Sequence, residues 1–324
     1  MSLRQQAKRK KFIGFFPIIL IFSAAWLLGS GPSRSETRKL NCLIITIDTL
    51  RADRLSCYGS LTVKTPTIDG LARQGVVFSR AFAHTVMTLP SHANIFLGSL
   101  PAYHGVHDNA NFVVPSEVPI LSEIFKKHNY ATGAFIGAYP LDRRFGLNRG
   151  FDVYDDNYGI QDFSRSDFVE RKAGEVVQKA IEWLSSVNRS WFLWVHCFDP
   201  HAPYSPPAPF SSEYIDNPYD GEVAYVDQVL GDLFTFLKSN DSFGNTLIIL
   251  TSDHGESLGE HGEMTHGYFA YNPTLLVPLI IVSPGIKAGS VVSSVVSHID
   301  IFPTVCDLLG FEKPKHLKGR SLVP

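Results

Sequence analysis

Cys42-Leu-Ile-Ile-Thr-Ile-Asp48 and Thr246-Leu-Ile-Ile-Leu-Thr-Ser-Asp253-His254-Gly255 share one plan: an apolar run that ends on acidic or metal-binding side chains. Uninterrupted aliphatic runs of this length fit strands buried on both faces, as found in parallel sheets covered by helices. Working outward, similar runs occupy 76–82, 131–136, 191–197 and 279–282. Apolar residues at helical spacing mark 68–74, 120–128, 168–184 and 223–237 between them. The alternation predicts an α/β fold with a mostly parallel central sheet sandwiched by helices. Such sheets bind ligands beyond the carboxyl ends of their strands. This chain concentrates its polar residues at those ends.

Asp48 follows the first strand, Asp253-His254 follow the fifth, and His196 and His201 mark the end of 191–197. Carboxylate oxygens and imidazole nitrogens together suit a divalent cation. Each residue alone fits a helix cap or a satisfied strand-end polar group; three strand ends together favour a metal site.

Thr88-Leu-Pro-Ser-His92-Ala-Asn-Ile-Phe-Leu-Gly98 forms a second constellation. Pro90 or Ser91 starts a short helix and Gly98 ends it. Thr88 then lies just before the helix amino terminus, where free N–H groups and the dipole favour an anion. A hydroxyl there can attack an ester whose oxygens rest on those N–H groups. A plain helix cap is the other use of such a threonine.

At the amino end, Arg4, Lys8, Arg9, Lys10 and Lys11 precede the uncharged stretch 12–28. Its 17 residues sit at the short end of a membrane-spanning helix. A basic flank before an apolar run fits a signal peptide or, preferably, an uncleaved anchor. The charges place 1–11 in the cytoplasm and the body outside it, periplasmic or extracellular. Residues 29–40 read as a linker, 41–324 as one catalytic domain, and 199–217, rich in Pro and Tyr, as an irregular loop. A net charge of −2 without a basic stripe excludes a nucleic-acid partner. Cys42, Cys57, Cys197 and Cys306 lack C-x-x-C spacing and read as free thiols, most of them buried, not as zinc ligands.

Asp48-Thr-Leu-Arg-Ala-Asp53, Thr65-Pro-Thr-Ile-Asp69, Thr88-Leu-Pro-Ser-His92, Asp199-Pro-His-Ala-Pro-Tyr204, Ser252-Asp-His-Gly255 and Asp300-Ile-Phe-Pro-Thr304 stand in the order of sulfatase motifs. Over 41–324 the chain resembles the sulfatase family of the alkaline-phosphatase superfamily. The resemblance implies an alkaline-phosphatase-like fold and a metal bound by Asp48, Thr88, Asp253 and His254. It also implies that His201 lies beside the substrate's ester group.

The chain departs from the family at instructive places. Thr88 stands where sulfatases carry the Cys or Ser that becomes formylglycine, so no formylglycine is expected. His92 replaces the signature arginine, His266 the lysine after the Asp-His motif, and Ala138-Tyr139-Pro140 a lysine-and-histidine element. A threonine ester cannot collapse to an aldehyde, so water or an acceptor alcohol must displace it. That chemistry suits phosphoryl transfer, and the phosphoethanolamine transferases of the superfamily look similar in this respect. The expected enzyme is therefore a metal-dependent hydrolase or transferase of phosphate- or sulfate-type esters. Thr88 is its nucleophile, and His201 its general acid or a ligand of a second ion, assisted by His266. His92 and Asn109 are expected to bind substrate. Calcium, manganese or zinc would serve, as one or two ions. Substrates are small-molecule, lipid or glycan esters, and the membrane is met through the N-terminal helix. The alternatives are a true sulfuric ester hydrolase without formylglycine and a non-catalytic binding domain. Glu256, Glu260, His261 and Glu263 read as solvated loop residues.

Overall fold

The computed structural model describes residues 39–158 and 171–324. The membrane-segment reading of 12–28 lies outside them. Among the described residues no helix is long and apolar enough to cross a membrane.

Eight strands form the main sheet in the order Ser290–Val292, Val76–Phe78, Leu279–Val282, Thr246–Ser252, Asn41–Ile47, Trp191–Cys197, Ala131–Phe135 and Val153–Asp155. The five from Thr246–Ser252 to Val153–Asp155 are parallel, and Leu279–Val282 runs antiparallel to both its neighbours. The sheet is therefore mostly parallel, as the continuous apolar runs require. Register is what positions the site: Ile47 pairs with Cys197 on one side and Ser252 on the other. Three strands thus end level, and Asp48, Phe198 and Asp253 leave the sheet side by side.

Side chains alternate between two cores. Leu43, Ile45, Leu193 and Ile248 face the helices Ala173–Ser186 and Pro218–Ser239. Ile44, Phe192, Trp194 and Ile249 face Thr88–Leu97, Leu121–Lys127 and Ile301–Leu309. Ala173, Val176, Val177, Ala180 and Leu184 make the buried stripe of the first of these helices. Removing one central side chain, as in Ile248→Ala, costs about 2–5 kcal/mol, because the residue is wholly enclosed.

Several boundaries move from the sequence reading. The run 76–82 is two strands, Val76–Phe78 in the main sheet and Ala81–Phe82 in a separate three-stranded sheet. The break falls after Ser79, whose N–H makes the last bond to the neighbouring strand at the carbonyl of Val292. The helix expected at 223–237 spans Pro218–Ser239, because Asn217 accepts a hydrogen bond from Asp220 N–H and Pro218 opens the first turn. All four cysteines are free; Cys42, Cys197 and Cys306 are buried and Cys57 is half-buried.

Candidate active site

The strand ends bring Asp48, Asp253 and His254 into one buried cluster, with a ligand atom from each within 4.8 Å of the others. Among the described residues no other His, Cys, Asp or Glu group is this close. Thr49, directly after Asp48, adopts a left-handed backbone (φ 54°) that β-branched residues rarely take. It is held there from three sides. Its N–H donates to Asp253 Oδ1 (3.2 Å), its hydroxyl to the Pro200 carbonyl, and its carbonyl accepts from Tyr219 Oη (2.8 Å). Backbone strain secured this firmly marks a place where geometry is fixed for use.

The tautomer of His254 decides the character of the cluster. Its Nδ1 lies 3.0 Å from the Gly255 carbonyl, which can only accept, so Nδ1 carries the proton. Nε2 is then a bare lone pair, 3.4 Å from Asp253 Oδ2 and 3.8 Å from Asp48 Oδ1. Both oxygens of Asp48, Oδ2 of Asp253 and Nε2 of His254 are buried without a hydrogen-bond partner. Lone pairs facing lone pairs in a dry interior are unfavourable unless a cation lies between them. Burial, and for Asp253 the charge of Asp48, raises both carboxyl pKa values, Asp48 to about 6. Burial also drives the His254 pKa well below its usual value, so the ring brings no positive charge of its own. These oxygen and nitrogen donors fit a divalent metal ion.

Thr88 is the first residue of the helix Thr88–Leu97, with Met87 as its cap. Little of the expected anion cradle is free beyond Thr88 itself. Leu89 N–H donates to Asn109 Oδ1 (2.8 Å), Ser91 N–H donates to the Met87 carbonyl (3.1 Å), and Pro90 has no N–H. Asn109 thus caps this helix through its carbonyl oxygen. His92 is held at both ring nitrogens. Its wholly buried ring donates from Nδ1 to the Thr88 carbonyl (2.7 Å) and accepts at Nε2 from the Thr46 hydroxyl (3.0 Å). Trp194 Nε1 donates to the same hydroxyl (2.9 Å). Burial and the neighbouring His196 keep His92 neutral. Its Nδ1 is also 3.9 Å from Asp253 Oδ2, which ties residue 88 to the acidic cluster.

His196, His201 and His266 complete the surround. Gly137 N–H donates to His196 Nδ1 (3.3 Å), which leaves the proton on Nε2, 3.5 Å from Asp48 Oδ2 but not hydrogen-bonded to it. His201 stacks on Phe198 (4.3 Å) and gives its Nδ1 proton to the Ala202 carbonyl (2.7 Å). The His266 ring lies 4.5 Å from that of His254 and 5.1 Å from that of His201.

The glycine-rich loop is less solvated than its composition implies. Glu256 is wholly buried; its carboxylate accepts from His266 Nδ1 (3.1 Å) and Tyr204 Oη (2.9 Å). Its carbonyl accepts from buried Arg51, which also binds Glu260 (2.8 Å). Burial opposes a charged His266 ring, but the hydrogen bond and charge of Glu256 outweigh it and raise the pKa. Gly255 draws this loop inward: a Cβ there would lie 2.0 Å from the Pro273 carbonyl. Glu263 is buried too, whereas Glu260 and His261 keep the exposure expected of them. His104, bonded to Asn94 Oδ1 (2.9 Å) and Val106 N–H, is structural.

Residues 40–311 match the family described as Sulfatase. The chain belongs to the sulfatase family. It is 33% identical to human arylsulfatase K across 91% of this chain and 68% of that protein. The ulvan-active sulfatase of Formosa agariphila is 26% identical across 98% of this chain and 72% of the relative. Among solved structures, the phosphonate monoester hydrolase of Agrobacterium radiobacter superposes with a TM-score of 0.77. It is 26% identical over 88% of this chain and 77% of that one. This sulfatase-family member is thus an ester hydrolase of sulfate or phosphate esters on an alkaline-phosphatase-like fold, in a family that depends on metal.

Proposed function

We propose that this sulfatase-family chain cleaves phosphate- or sulfate-type esters with the Thr88 hydroxyl as nucleophile, passing the anionic group to water or to an acceptor alcohol. The observation that carries the reading is the His254 lone pair converging with three orphaned carboxylate oxygens, to which His92 links the Thr88 carbonyl. A calcium, manganese or zinc ion held by Asp48, Asp253, His254 and Thr88 would offset the carboxylates and make the threonine hydroxyl more acidic.

The chain's own groups do the rest. Thr88 Oγ1, its proton released to solvent, bonds to phosphorus or sulfur as the bond to the ester oxygen breaks. The leaving oxygen takes a proton from His266 Nε2. We assign the acid role to His266 because its Nδ1–H faces the Glu256 carboxylate, an arrangement that steadies a charged imidazole. His201, whose Nδ1 faces only a carbonyl, lines the leaving-group side. Water or an acceptor alcohol, deprotonated by the now neutral His266, then displaces Thr88, whose oxygen takes a proton back from solvent. His92 and Asn109 fix the nucleophile's backbone throughout.

A relative named for ulvan supports glycan esters as substrates, and a phosphonate monoester hydrolase neighbour supports phosphoesters. The basic residues before 12–28 support a membrane anchor with the catalytic body outside the cytoplasm; protection from protease in cells stripped of any outer membrane and wall would refute that placement.

The central test compares phosphate and sulfate release from paired para-nitrophenyl esters, before and after chelation. Turnover that needs metal and vanishes in Thr88→Ala is expected. Undiminished turnover by Thr88→Ala overturns the nucleophile. Sulfate release alone identifies a sulfuric ester hydrolase without formylglycine, and a metal-free protein that turns over neither ester is a binding domain.

A further inference from the structure

Met264, Tyr268, Phe269 and Tyr271 are 73%, 89%, 45% and 41% exposed, four large apolar side chains within eight residues. Exposed apolar groups clustered this tightly mark a contact surface. The segment carrying them is tied down. His266 Nδ1 and Tyr268 N–H donate to Glu256 Oε1 (3.1 Å) and to buried Glu263 Oε1 (2.9 Å). Thr274 donates to the Phe269 carbonyl (2.9 Å), and Tyr271 stacks on His261 with ring centres 3.8 Å apart. Side chains presented on a backbone ordered in advance bind with less entropy loss.

The segment also begins at the reaction centre. His266 is its first residue, and Gly267, at φ 115°, packs so that a Cβ would lie 3.7 Å from Met87 Cε, one residue before Thr88. Tyr268 is two residues after His266, so an alcohol that takes its proton from His266 leaves close to the exposed aromatic residues of this segment. We propose that Tyr268, with Phe269 and Tyr271, is the platform for that alcohol, receiving a ring with an apolar face, aryl or pyranose. The assignment rests on the ester-cleaving reading of the Thr88 site. Flat aromatic surfaces pair well with such rings and leave the anionic group to the polar centre.

Binding and turnover test it separately. In the Thr88→Ala background, calorimetry with para-nitrophenyl phosphate and para-nitrophenyl sulfate should show about tenfold weaker binding once Tyr268→Ala is added. Affinity for inorganic phosphate or sulfate should stay unchanged, and Tyr268→Phe should restore ring binding. In the otherwise native chain, Tyr268→Ala should raise KM for the para-nitrophenyl ester by a similar factor while kcat holds. Equal loss of ring and inorganic-anion affinity, no loss at all, or no ring binding to begin with overturns the platform. So does Tyr268-dependent co-sedimentation with phosphatidylglycerol vesicles without a change in ring affinity, which would assign the surface to a membrane. Ring binding that depends on Tyr268 in a protein without turnover sinks the proposed reaction and leaves the platform standing.

Discussion

The two sides of the site are built by different means. Asp48, Asp253 and His254 stand at the ends of two adjacent parallel strands whose register sets their spacing. Glu256 and His266 face them from a loop, 255–271, held by hydrogen bonds to Arg51, Tyr204 and Glu263. The strand side is rigid and rich in unpartnered negative charge. The loop side pairs its charges internally and ends in exposed aromatics. The difference teaches that the edge of a sheet can hold repelling groups together at a fixed distance, whereas a loop must satisfy its own groups to hold any shape.

Substitutions sharpen the contrast, and the largest effect is expected at Thr88, on the helix next to His92. Thr88→Ala should lower kcat by a thousandfold or more, on the order seen when a covalent nucleophile is removed; a drop below tenfold in steady-state kinetics would remove Thr88 from the chemistry. Glu256→Gln should lower kcat about a hundredfold with little change in KM, because an amide still accepts from His266 Nδ1 but no longer steadies its charge. Equal changes in kcat and KM would mean that the loop merely holds shape.

Stability gives the clearest inversion. Asp253→Asn removes one of two buried, facing carboxylates, so the chelated variant should melt higher than chelated wild type, by about 1–2 kcal/mol in stability. With metal restored, wild type should be the more stable. If Asp253→Asn destabilises both forms, the repulsion inferred at the strand ends is wrong. The smallest effect belongs to the helix cap: Asn109→Ala should cost about 1 kcal/mol, read as a lower urea midpoint, since it frees the Leu89 N–H.

The strand side was legible in the sequence because its information is local. An apolar run fixes the strand, and the next residue is then at the edge; Asp48, Asp253 and His254 follow directly. The orientation of His92 is legible in its spacing. It lies four residues after Thr88 on a helix, and such a side chain points back toward the carbonyl of the earlier turn. Glu256 carried no comparable signal. Its burial depends on Gly255 packing against Pro273 and on Tyr204, some fifty positions upstream, reaching across to bond it. Asn109 likewise caps a helix twenty residues before it. Contacts that depend on where two loops happen to meet leave no trace in periodicity.

The hydrogen-bond chain from Trp194 through Thr46 and His92 to the Thr88 carbonyl sets a barrier between this enzyme and relatives bearing arginine at the signature position. A guanidinium has no acceptor, so the buried Thr46 hydroxyl proton would lose its partner, and a fixed charge would enter a pocket shaped for a neutral ring. Single-residue reversion of His92 is therefore a poor path back. In this chain the neutral ring is locked in place by the aromatic core beneath it.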